Sequence, residues 1–305
     1  MNFPGWAFVS TSSSNPPPGG FSSVWVLLRI AAVSLLLGRG VLYLSGMGPL
    51  SALFWNEGLL SGWVSSLWGI SWEAYAATSE PLILRTQWVL GGVYLSGAVL
   101  CFRYRPGRRW TGVFLVVVAI CLAPYWLLRW MDKAYQFPML LEHLLQWSPP
   151  LLLVGYGCWR RSTWMRFCIA VTSLTFAGHG LYALGLRWAR PHSFMFMTMK
   201  LLPLQERGAE IFLMIHGVLD LVLAGLLVWP RTRIPAAFYM AFWGLVTAFA
   251  RIASHVTPVE DGYGLHPWLA ETIVRFPHGL IPLAIGLECL YQRQENRARH
   301  DPALS

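Results

Sequence analysis

The sequence predicts an all-α integral membrane protein of eight transmembrane helices, built as two tandem four-helix units with an added outer interfacial helix. Three observations predict it: a composition too apolar for one soluble core, eight apolar runs separated by basic turns, and a pattern that occurs twice. The 305 residues are 55% hydrophobic and only 12% charged. Runs such as 113–128 and 211–228 are apolar all round, with isolated polar exceptions, so lipid rather than a soluble core must solvate them. The net charge of +9 does not indicate nucleic acid, because the arginines cluster beside apolar runs instead of forming a stripe.

Taken in order, residues 1–23 read as a disordered Ser/Pro/Gly tail, with neither the basic n-region nor the continuous apolar stretch of a secretory signal. Spans are expected at 24–44, 86–103, 111–129, 139–157, 165–186, 209–229, 235–254 and 269–290. Every even-numbered exit is basic. Arg103, Arg105, Arg108 and Arg109 follow the second span, Arg160, Arg161 and Arg166 the fourth, Arg231 and Arg233 the sixth, and Arg293, Arg297 and Arg299 the eighth. The positive-inside rule then puts these turns and both termini in the cytoplasm. Segment 49–72 is interrupted by Asn56 and Glu57 and carries Trp55, Trp63, Trp68 and Trp72, which reads as an interfacial or re-entrant helix on the outer side, the alternative being a ninth span that would move the N-terminus outside.

The repeat sets the architecture. Gly38-Arg39-Gly40 then Leu42-Tyr43 in the first span is matched by Gly178-His179-Gly180 then Leu181-Tyr182 in the fifth. Gly92-Val93 is set against Gly217-Val218, and FPMLLEHLLQW (137–147) against HPWLAETIVRF (266–276), where one offset pairs Pro138 with Pro267 and Glu142 with Glu271. The expected units are 24–160 and 161–292, followed by a cytoplasmic tail at 293–305.

The segment HGVLDLVLAGLLVWPRTRIPAAFYMAFWGLVTAFARI (216–252) and the opening LLRIAAVSLLLGRG (27–40) resemble DoxX-like bacterial membrane proteins. In those proteins a Gly and an acidic residue precede an apolar run, an Arg-containing turn and an Ala-rich helix. The resemblance implies a bacterial inner-membrane protein with a redox connection and membrane redox subunits as partners. It fixes no catalytic residue, and this chain departs from the family by being doubled.

Ionisable residues inside apolar helices are costly, so each marks a candidate site. They concentrate in the second half: His179, His216 and Asp220, Arg251 and His255, and Glu271, Arg275 and His278. The matched first-half positions read Arg39, Gly91, Leu95, Glu142 and Pro149 for His179, His216, Asp220, Glu271 and His278. The second half is therefore expected to hold the site and the first to be scaffold. The ligand-binding set is His179, His216, Asp220, Glu271, Arg275 and His278. His216 and Asp220, one turn apart, are expected to pair, and Glu271 and Arg275 to form an intrahelical ion pair. Arg251 and His255, near a helix end, are expected to snorkel to water. The sequence lacks CxxC, HExxH, a phosphate-binding Gly loop and GxSxG. The reading that follows is a redox-linked subunit with an outer-leaflet pocket for a quinone or other lipophilic ligand, with Met-rich 193–204 and Trp-rich 55–72 as lids. The alternatives are a scaffold, assembly or transport subunit, and haem b or a metal bound by facing histidines.

Overall fold

The structure, a computed structural model, describes residues 23–256 and 265–300. The tail expected at 1–23 lies outside the described residues except for Ser23, as do 257–264 and 301–305. Every described element is helical: α1 (Ser23–Leu44), α2 (Ser51–Phe54), α3 (Glu57–Trp68), α4 (Trp72–Arg103), α5 (Arg109–Asp132), α6 (Phe137–Glu142), a 3-10 turn (Leu144–Gln146), α7 (Pro149–Cys158), α8 (Arg161–Leu184), α9 (His192–Leu201), α10 (Glu206–Val228), α11 (Arg233–His255), α12 (Leu265–Val274) and α13 (Pro277–His300). Among the described residues six segments are long and apolar enough to cross a membrane: α1, α5, α8, α10, α11 and Pro267–Arg297. Their apolar windows are 61% buried for α1 and for Pro267–Arg297 but 33% for α10, so the first two sit inside the bundle and α10 turns its apolar surface outward.

The remaining two expected spans take other forms. Residues 86–103 are the second part of α4, whose 32 residues begin at the Ser71 cap and whose earlier half is masked in the sequence by Glu73, Glu80 and Arg85. The segment expected as one helix at 139–157 is broken into α6, the 3-10 turn and α7. The expected helix at 269–290 is likewise split, between α12 and α13. Both breaks follow from proline, which lacks a backbone N–H and disfavours the α conformation in the residue before it. Pro149 and Pro150 open α7 and Pro277 opens α13. The first break is satisfied internally, with the Leu145 N–H donating to Thr175 Oγ1 at 3.2 Å and the Ser148 N–H to the Leu144 carbonyl at 3.0 Å, as non-helical backbone at membrane depth requires. The chain end expected as a tail continues as helix through His300.

Segment 49–72 forms α2 and α3. At 12 residues, α3 is about 18 Å long and cannot cross a hydrocarbon core of about 30 Å. It is capped by Asn56, whose side chain accepts from the Leu59 N–H at 3.1 Å, and leaves Trp63, Leu67 and Trp68 exposed.

The basic turns gather at one end of the bundle. Arg29 donates to the Tyr104 carbonyl at 2.8 Å, the Tyr104 hydroxyl lies 4.0 Å from Cys158 Sγ, and Arg161 at the start of α8 bonds Glu288 and Glu295 in the second half of α13.

Close helix approaches occur in matching pairs. A Cβ on Gly40 or Gly91 would meet the other's carbonyl at 3.2 or 3.1 Å, and one on Gly180 or Gly217 would do the same at 2.7 or 2.8 Å. Small residues let these helix backbones touch, α1 with α4 and α8 with α10. A Cβ on Gly38 would lie 2.8 Å from the Ala270 carbonyl of α12, and one on Gly178 2.8 Å from the Pro138 carbonyl of α6. Each long helix thus holds the short half-helix from the other part of the chain. By these contacts Gly217 stands to Gly180 as Gly91 stands to Gly40; counted from those glycines, Asp220 and Ala183 fall where Tyr94 and Tyr43 fall on α4 and α1.

Candidate functional site

Away from the basic end, α8, α9, α10, α11 and the α12–α13 break enclose a cavity of about 250 Å³. Three sequence features shape it. Gly178 and Gly180 let α8 press against α6 and α10 on either side of His179. Gly244 brings α11 onto the break, where a Cβ would collide with the His278 carbonyl. Pro277 sets His278 in the first turn of α13. The Phe/Met-rich α9 closes one side with Phe194 and Met197, where the sequence placed a lid.

Five of the six expected residues line this cavity: His179, His216, Asp220, Arg275 and His278. Glu271 is not among its lining residues; the strongest charge acting on it is Arg39, followed by Arg251 and Arg275. Arg251 lines the cavity and is buried instead of snorkelling. It sits where α11 faces the broken helix, a neighbour that no window of local sequence reveals.

The expected pairings rearrange. His216 Nδ1 lies 2.9 Å from the Phe212 carbonyl, and its ring stacks on Trp243 with centroids 4.4 Å apart. Asp220 Oδ1 is buried without a hydrogen-bond partner among the described residues, so the one-turn pair does not form. The reason is local: the imidazole reaches the carbonyl four residues back before it reaches a carboxylate one turn ahead. Glu271 and Arg275 form no ion pair either, because the helix ends at Val274 and Arg275 lies in the turn. Two glutamate–histidine approaches appear instead. Glu142 Oε2 is 3.5 Å from His179 Nδ1, and Glu142 Oε1 is 3.4 Å from His143 Nδ1. His179 and His278 stand with ring centroids 5.4 Å apart.

No protein-family model, curated protein or solved structure matches the chain.

The local chemistry is therefore the guide to what the cavity accepts. A carbonyl only accepts, so the Nδ1 atoms of His216 and His278, at 2.9 and 3.1 Å from backbone carbonyls, carry the hydrogen. In the neutral ring this leaves Nε2 as an acceptor, and His278 Nε2 is buried and unpartnered. Arg251 and Arg275 supply donors, and the Nε of each is also buried without a partner. The remaining wall is apolar: Phe176, Phe194, Met197, Phe212 and Trp243. Among the described residues no three metal-ligating side chains come together, and the five cysteines are free. His216 lies flat on Trp243, and the His179 and His278 rings stand against each other.

Residues that local sequence reading left out of the site are Arg251, Glu142 and Trp243. The signal that would have found the region is the pair of proline-interrupted segments, Ser148-Pro149-Pro150 and Phe276-Pro277-His278, since discontinuous helices form binding sites in many membrane transporters.

Proposed function

We propose that the protein is an eight-span membrane protein made of two tandem four-helix units, whose second unit binds a lipid-soluble ligand with a polar head. The observation that carries this reading is the cavity's two-sided character. Its lining includes Leu201, Leu202 and Val246, which are also exposed on the outer surface of the bundle. An entrance rimmed by such side chains is open to lipid and unattractive to a water-soluble solute. Its inner end carries Arg251, Arg275, His278, His216 and Asp220, a mixed set of donors and acceptors in an otherwise apolar chamber. The doubling rests on the paired glycine contacts and the two proline breaks. Positive-inside placement of the gathered arginines puts both termini in the cytoplasm and the cavity in the outer leaflet of a bacterial inner membrane.

A quinone meets the redox reading that the DoxX-like resemblance implies. Its oxygens can accept from the arginines, and the hydroxyls of its reduced form can donate to histidine Nε2 or to Asp220. The scaffold alternative fits the first unit, where Tyr43 and Tyr94 pack edge to face with ring centroids 5.2 Å apart and the Tyr94 hydroxyl donates to the Cys121 carbonyl at 2.8 Å.

The test is extraction of lipids from protein purified in mild detergent, read by mass spectrometry. A lipid-soluble compound should accompany the wild type in stoichiometric amount and be lost from Ala183→Trp, which fills the cavity. Equal recovery from both proteins, or none from either, would sink the ligand-binding reading.

A further inference from the structure

Resting on the ligand-binding reading, we infer that the head group this cavity takes is an oxyanion: the ligand is a lipid-soluble acid, with a carboxylate or phosphate held between Arg251 and Arg275. Both arginines line the cavity. Arg251 is more than nine-tenths buried, at 8% exposure. Neither side chain makes a hydrogen bond or an ion pair with any described residue, and both Nε atoms are buried and unpartnered. Arg275 is the strongest charge acting on Arg251, while Arg275 itself feels Glu142 and Glu271 most strongly without contacting either. Two guanidinium groups lining one cavity without a carboxylate in contact are unfavourable when it is empty, and an anion bound there reverses the sign of that interaction.

The surrounding charges leave room for such a ligand. Arg129 is held by Asp132 at 3.2 Å. Lys133 shares that carboxylate at 3.8 Å, and Arg39, Arg251 and Arg275 are left with the carboxylates of Glu142 and Glu271, so positive charge is in excess. Asp220 does not supply the difference, for its Oδ1 is unpartnered and no arginine figures among the groups acting on it. A carboxylate or phosphate accepts two parallel N–H donors from a guanidinium, a geometry neither an alcohol nor a quinone oxygen can use fully. The apolar walls at Phe194, Met197 and Trp243 would take the hydrocarbon portion.

The experiment uses the full chain in detergent, with binding read by thermal shift and by tryptophan fluorescence, since Trp243 lines the cavity. The probes are oleate, oleyl phosphate, oleyl alcohol and a decyl benzoquinone. Oleate, oleyl phosphate or both should bind at least tenfold tighter than the alcohol and the quinone. Arg251→Gln and Arg275→Gln should each lose at least tenfold in affinity for the acid without changing alcohol binding, each measured against its own empty protein. The acid-to-alcohol ratio of the wild type stands even if one variant cannot be purified. Alcohol or quinone binding as tightly as both acids would overturn the oxyanion while leaving the ligand-binding reading in place. Failure of all four probes would remove both.

Discussion

The glycine-flanked positions Arg39 and His179 occupy the same kind of niche, each between a long helix and a half-helix from the other part of the chain, yet their surroundings differ in kind. Around Arg39 the space is full. Its guanidinium lies 3.6 Å from the Tyr125 ring centroid, it hydrogen-bonds Gln146, and Tyr43 and Tyr94 pack beside it. Around His179 the corresponding positions are Ala183 and Asp220, and the space is a cavity. The difference teaches how one backbone frame yields a structural joint or a binding chamber. Two aromatic rings fill what a methyl group and a short carboxylate leave open, and a fixed charge stacked on an aromatic ring replaces an imidazole beside a glutamate.

The largest expected contrast comes from removing the central side chains. Arg39→Ala should cost about 3–5 kcal/mol, because it orphans Gln146 and takes from Glu271 its strongest counter-charge. His179→Ala should cost about 1–2 kcal/mol, the scale of losing one polar contact beside an existing cavity. Unfolding of the purified variants in mixed micelles measures both, and equal losses would break the division between joint and chamber.

A second contrast tests whether the niches share one frame. A side chain at Gly38 would meet Val274 Cγ2 at 2.5 Å, and one at Gly178 the Glu142 nitrogen at 2.6 Å. Gly38→Leu and Gly178→Leu should therefore be similarly harmful, at about 3 kcal/mol, the upper end of ordinary overpacking costs. Tolerance of one and loss of the other in the same unfolding assay would show that the two contacts are not equivalent.

The smallest effect on stability is expected from Ala183→Tyr, which puts beside His179 a ring like that of Tyr43 beside Arg39. It should change unfolding by less than about 1 kcal/mol, since a neighbouring void accepts the ring, while abolishing oleate binding. A stable variant that still binds oleate would show that the ligand sits elsewhere.

Much of the candidate site was legible because cost of burial is a property of residue type. His179, His216, Asp220, Arg275 and His278 stand out in apolar helices, and they do face one cavity. Their partners were not legible. His216 turned to its own helix backbone, and the charge acting most strongly on Glu271 is that of Arg39, more than 200 residues away in the chain. Arg251 looked like a helix-end residue until α11 was seen against the broken helix.

The sequence by itself determined that this chain is helical and membrane-embedded, because apolar run length and residue hydration are local quantities. It did not determine where the helices break, for Pro149 and Pro277 open new helices whereas Pro81, Pro124 and Pro282 lie inside continuous ones. Only the tertiary structure decided which charges meet and where the cavity opens. Those depend on backbones touching at Gly38, Gly178, Gly217 and Gly244, and a glycine in a sequence does not say which helix will come against it.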